Sequence, residues 1–160
     1  MELKERQIET LKGLTKKSAT KGNLPNAAIV LEGGEMIASS QSLVASDNNV
    51  TSHAELLAIE KICKLRESAW TPGLNLVSVV EPCTMCLSAA SQAGYENVYY
   101  IIPAKRYEDE VLYITDVQVG FKEGLVKNFK NDINLIYLKG LEEEFSEVFE
   151  DVLPDSLKKG

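Results

Sequence analysis

Apolar positions along the chain alternate between strand-like and helix-like spacing. Leu3, Ile8 and Leu11, set among lysines and glutamates, predict an amphipathic helix that ends between Gly13 and Gly22. Ala27 to Leu31 and Met36 to Ala38 read as two strands, with Glu32-Gly33-Gly34-Glu35 as the turn of a hairpin. From Ala54 to Leu65 the apolar residues occupy more than one side of a helix, which predicts burial within a layered core. Leu74 to Val80 is the next strand, and it runs into Glu81-Pro82-Cys83 and a helix from Cys83 to Gly94. Val98 to Ile102 and Ile133 to Leu138 add two strands. Leu141, Phe145, Val148, Phe149 and Val152 then repeat at helical spacing in a terminal amphipathic helix. The stretch 103–132 has the weakest pattern: a helix over Lys105 to Glu110 and an extended segment over Val111 to Val119 are expected there.

This order predicts one α/β domain over residues 1–160, a three-layer α/β/α arrangement around a mixed, mostly parallel five-stranded sheet whose antiparallel part is the opening hairpin. The stretch 103–132 is too long for a tight hairpin and long enough for a crossover, so the strands on either side of it should run parallel. A length of 160 residues, with 44% hydrophobic and 26% charged positions, is enough to bury a sizeable core. The longest apolar runs fall far short of the roughly 20 residues that span a bilayer. No apolar segment and cleavage site follow Met1 to Arg6, so a cytoplasmic location is expected. Lysine and arginine number 17 against 24 acidic residues, a net charge of -7, which disfavours long nucleic acid as a partner.

Three cysteines, at 63, 83 and 86, cannot all pair, and without secretory context the C-x-x-C at 83–86 points to metal or redox chemistry. Two segments carry the chemistry: Ser52-His53-Ala54-Glu55 opens one predicted helix and Glu81-Pro82-Cys83-Thr84-Met85-Cys86 opens another. Helix N-termini present unpaired backbone donors and converging side chains to open space. Cys83 and Cys86 share a face of the first turn, where the positive helix end favours the thiolate. Two thiolates and the His53 imidazole suit one zinc ion and leave its fourth position vacant, the arrangement of a catalytic site. Bound water is acidified there, and Glu55 is the carboxylate placed to move protons. His53 and Glu55 are two residues apart and would diverge within a helix, so His53 must lie in the irregular turn before it.

Each piece also has a plainer reading. Ser52-x-x-Glu55 is a capping box, a lone histidine is usually structural, and a lone C-x-x-C is redox-active or half of a structural zinc site. Cys63, within an apolar helix, reads as core. The conjunction of H-x-E with P-C-x-x-C, each opening a helix, is what singles out zinc-dependent deamination.

On Thr51-Ser52-His53-Ala54-Glu55 and Glu81-Pro82-Cys83-Thr84-Met85-Cys86, the chain resembles the cytidine deaminase-like superfamily. Within it the nearest branch holds guanine deaminases, cytosine deaminases and tRNA adenosine deaminases. The resemblance runs from Pro25 to Ile102. It implies one zinc per chain, hydrolytic release of ammonia from an amino-bearing nucleobase-like small molecule, and a homodimer whose neighbouring loops complete each pocket. Ser42, Ala54 and Pro82 are the candidate substrate contacts. Two positions depart from the pattern: Ala27 stands where the family's P-x-G-A has glycine, and Ser42 where the family commonly has an asparagine that bonds the base. The alternatives are a tRNA adenosine deaminase and a zinc-stabilised, non-catalytic binding protein of the same fold.

Overall fold

The computed structural model describes residues 1–114, 117–118 and 120–160. In chain order the elements are α1 Glu5–Ala19, β1 Ala27–Glu32, β2 Glu35–Gln41, α2 Ala54–Arg66, β3 Asn75–Val80, α3 Thr84–Ala93, β4 Asn97–Ile102, α4 Phe121–Asn128, β5 Asn134–Tyr137 and α5 Glu142–Val152. The five strands form one sheet in the order β2-β1-β3-β4-β5. β1 is antiparallel to both of its neighbours, whereas β3, β4 and β5 are mutually parallel, so β1 alone runs against the other four. The crossover through 103–132 does set β4 and β5 parallel.

Strand alternation sends successive side chains to opposite faces, and both faces are covered. Ala27, Ile29 and Leu31 of β1 join Val77, Val79, Leu11, Phe145 and Phe149 on the side of α1 and α5. Ala28 and Val30 join Leu76, Ala58, Ile62, Leu87 and Ala90 on the side of α2 and α3. Continuous apolar runs in β1, β3 and β4 are therefore what a sheet buried on two faces requires. The β1–β2 turn places Gly33 and Gly34 at φ 56° and 82°, the positive values that a two-residue hairpin matched to strand twist demands. Among the described residues, no helix is long and apolar enough to cross a membrane.

The stretch 103–132 departs from expectation. Over Lys105 to Glu110 there is only a 3-10 turn, Ala104–Arg106, followed by separate turns. Its side chains serve long-range packing instead: the Tyr107 ring stacks on Phe149 at 4.6 Å between centroids. No strand forms among the described residues of 111–119; Val111 makes a single bridge to Lys158, and Leu112 N–H donates to Leu157 O at 2.9 Å. Thr115, Asp116 and Val119 lie outside the described residues. The C-terminal tail thus returns across this segment, and α4 follows where no helix was expected.

Gly94 closes α3 at φ +90°, and a Cβ there would sit 2.9 Å from the Trp70 ring and 3.1 Å from the Pro72 Cα. The ring can shift, but the backbone atom and the left-handed conformation cannot be relieved together. Gly94→Ala is expected to cost about 1–3 kcal/mol in denaturant unfolding. An unchanged unfolding midpoint would show that the end of α3 tolerates a side chain.

Candidate active site

The start of β1, the end of β3 and the starts of α2 and α3 meet at one rim of the sheet. His53 is the N-cap of α2, in extended conformation at φ -70°, ψ 145°. Cys83 is the N-cap of α3 at φ -75°, ψ 171°, and Cys86 follows in the first turn. The capping box over Ser52 and Glu55 does not form: the cap position belongs to His53, and no side chain caps the helix. The extended turn is what turns the His53 ring back toward the cysteines, as its separation from Glu55 requires.

Cys83 Sγ and Cys86 Sγ are 3.5 Å apart, and each lies 3.6 Å from His53 Nδ1. Tetrahedral zinc with bonds of about 2.3 Å to sulfur and about 2.0–2.1 Å to nitrogen would place these atoms about 3.6–3.8 Å apart. The donor set and its spacing therefore fit zinc, and His53, Cys83 and Cys86 are positioned to hold a metal ion. Cys63, half-buried against the α2–α3 core, is not among them.

The two thiols are in hydrogen-bonding contact and shift each other in opposite directions. The Cys83–Cys86 hydrogen bond, with His53 also beside it, holds the Cys83 pKa down to about 4 against the effect of burial. Cys86 is pushed up by the same hydrogen bond, by burial and by Glu55. His53 is raised, chiefly by its hydrogen bond with Cys83. Metal binding replaces these hydrogen bonds, because a bound cation favours deprotonated sulfur.

Glu55 is 2% exposed and faces the same space. Burial is the largest influence on it and raises its pKa, the direction that brings a carboxyl toward working pH. Its Oε1 accepts from Asn26 Nδ2 at 2.7 Å and from Ser78 Oγ at 3.0 Å. Neither residue was a candidate in the sequence; the only available signal was a polar residue inside each of two strongly apolar strand regions.

Glu55, His53 and Cys83 line a cavity with Ser42, Ala54, Asn26 and Val80. Ser42 and Ala54, two of the residues singled out in the sequence, are thus among its lining. Pro82 is buried and does not line it. Tyr113, Ile114 and Leu157 close the far wall, a contribution of the 103–132 stretch and the C-terminal tail that periodicity could not reveal. Glu81, which also lines this cavity, makes an ion pair with Lys122 of α4 at 2.8 Å.

Known proteins are similar to this chain in sequence and in fold. A tRNA-specific adenosine deaminase of Aquifex aeolicus is 32% identical over 92 residues, which cover 58% of this chain and 61% of that protein. A guanine deaminase of Bacillus subtilis is 37% identical over 76 residues, 48% of this chain and 49% of that protein. The chain thus spans between about half and three-fifths of the length of these relatives. A solved structure of a guanine deaminase from Nitrosomonas europaea superposes with a TM-score of 0.79 over 96% of this chain and 86% of that one, at 18% identity, which is a likeness of fold. The zinc ligands and both helix starts that present them lie within residues 1–102, the stretch that matches the cytidine and deoxycytidylate deaminase zinc-binding region, and the chain belongs to that family.

Proposed function

We propose that the protein is a zinc-dependent hydrolase that deaminates a free amino-bearing heterocycle of the nucleobase class. The observation that carries this reading is Glu55, a carboxyl 2% exposed in the cavity wall beside His53 and Cys83. A structural zinc site needs no such group, and a buried carboxyl is costly unless it serves a purpose. Zinc held by His53, Cys83 and Cys86 supplies Lewis acidity that brings the pKa of a water toward neutrality. Glu55 takes up a proton from the attacking water and gives it to the ring nitrogen, then takes the proton of the hydroxyl added at the ring carbon and gives it to the amine, so that the carbon–nitrogen bond breaks, ammonia leaves and a carbonyl remains. Ser42 and Ala54 bound the ring, and Tyr113, Ile114 and Leu157 exclude bulk water. The same reading takes residues 1–160 as one domain acting as a homodimer. Its support is the pair of large exposed apolar side chains near the cavity, Val50 at 73% and Tyr113 at 64%.

A second reading, deamination of an adenosine within tRNA, is favoured by the similarity to the Aquifex aeolicus protein. The acidic face of α5 is weaker evidence against it than the net charge suggests. Glu144 pairs with Lys12 at 2.7 Å, and Glu142 and Glu143 with Arg106 at 3.0 and 2.7 Å, so part of that charge is neutralised locally.

Ammonia release separates these readings. Zinc-loaded protein is incubated with cytosine, guanine, adenine, their nucleosides and nucleotides, pterins, and a tRNA stem-loop. Release from a free heterocycle is the expected result. Inosine formed in the stem-loop alone would establish the second reading, and no ammonia from any of them would overturn both.

A further inference from the structure

Glu55 is held by Asn26 and Ser78 on one of its oxygens, and its carboxyl also makes a hydrogen bond with the Cys86 thiol. Both of its hydrogen bonds from Asn26 and Ser78 end on Oε1. The two donors differ in kind. Ser78 Oγ has a single hydrogen and three acceptors in reach: Val80 O at 2.7 Å, Glu55 Oε1 at 3.0 Å and Asn26 Oδ1 at 3.5 Å. It serves one of them at a time. Asn26 has no such freedom. It is 6% exposed, and its Oδ1 accepts the backbone N–H of Ala27 at 3.0 Å and of Val80 at 2.9 Å. Two backbone donors require an oxygen opposite them, so the amide has one allowed orientation and Nδ2 faces Glu55.

The backbone of Asn26 is fixed as well. Its N–H donates to Ser18 Oγ at 3.2 Å, and its carbonyl accepts from Ser42 N–H at 3.1 Å. One residue therefore joins α1, the end of β3, the Ser42 wall of the cavity and the Glu55 carboxylate.

We infer that Asn26 is a positioning residue for the proton transfer assigned above to Glu55: its amide anchors Oε1 and so fixes the orientation of the carboxyl group. This rests on the deaminase reading. A group that moves a proton must be held within about 0.5 Å of its working position by neighbours that are themselves locked. The two halves of the Asn26 amide divide the labour. The carbonyl oxygen is the structural half, because it closes the backbone at the start of β1 and the end of β3. The NH2 is the positioning half, because Glu55 is its only acceptor among the described residues.

Asn26→Asp separates the two halves. Aspartate has the same size and keeps an acceptor for both backbone donors, but it turns a second carboxylate oxygen toward Glu55 Oε1. With the substrate that releases most ammonia in the screen above, kcat is expected to fall about 10²-fold, the cost of misplacing a reacting group by about 1 Å. KM should change much less than kcat, since Ser42 and Ala54, the contacts assigned to the ring, are unaltered, and zinc content should be unchanged. A merely structural asparagine predicts a kcat within about threefold of wild type, which would overturn the inference.

A crystal structure of the zinc-loaded variant gives a readout independent of turnover. Glu55 is expected to be turned away from its wild-type position, and an unmoved carboxylate overturns the anchoring role. Should the aspartate variant not fold, Asn26→Ser, which cannot overpack the site, carries the same expectations. If wild-type protein deaminates nothing in the screen, the deaminase reading falls by that result, and the position of Glu55 in the variant still decides whether Asn26 anchors it.

Discussion

Glu55→Gln is expected to retain zinc, melt no lower than wild type and lose about 10²–10⁴-fold in ammonia release, the usual worth of general acid–base catalysis. Glutamine preserves the volume of the side chain and keeps an oxygen that accepts from Asn26 and Ser78, the two groups that hold Oε1 at 2.7 and 3.0 Å. What it removes is the carboxylate that exchanges a proton. Stability and activity should therefore move in different directions. Burial already raises the Glu55 pKa, which means that the charged form is disfavoured inside the fold, so a neutral amide relieves that penalty. Had Glu55 been a helix cap, the outcome would be reversed, with stability lost and turnover kept. Initial rates on the substrate found in the screen, together with metal content and thermal unfolding, distinguish the two. A rate within about threefold of wild type would remove Glu55 from the proton-transfer role.

How much of this was legible in the sequence depended on how local each signal is. The sheet was readable because β1, β3 and β4 are apolar on both faces, and such runs arise from two-sided burial. The zinc ligands were readable because each sits at the start of a helix, where short spacings such as Cys83 to Cys86 map directly onto shared space. α4 was not readable for a physical reason. Periodicity finds helices by their buried apolar stripe, whereas the buried residue of α4 is Lys122, whose partner Glu81 comes from the zinc motif. Gly124 in the middle of that helix lowers its intrinsic propensity further. Asn26 was hidden in another way. Its position inside the P-x-G-A-like segment drew attention to Ala27, yet Ala27 is a fully buried strand residue without positive φ, where a glycine has no conformational necessity. The functional content lay one position earlier, in a side chain whose partners are Ala27, Ser78, Val80 and Glu55. No spacing rule links those residues; the fold does.

Removing the metal, either with a strong chelator or by Cys86→Ala, should produce the largest change in stability. Zinc binds a site that exists only in the folded chain, so its binding free energy adds to folding free energy. At free zinc a thousandfold above Kd this amounts to about 4 kcal/mol. For a chain of this length that corresponds to a fall in Tm of about 8–16 °C on zinc removal. The Cys83 thiol is pulled down to about 4 and the Cys86 thiol is pushed up, each chiefly by the hydrogen bond between them, and Glu55 lies in the same buried space. A divalent cation is what allows both sulfurs to be anionic at 3.5 Å. Cys63→Ala is the matched control: it removes a thiol from α2 that is half-buried and outside the ligand set, so it should leave one zinc per chain. Metal analysis and thermal unfolding of the three proteins, each with and without chelator, provide the measurement. If Cys86→Ala keeps one zinc per chain and the full chelator-dependent fall in Tm, the ion is held elsewhere and the assignment of His53, Cys83 and Cys86 as its ligands is wrong.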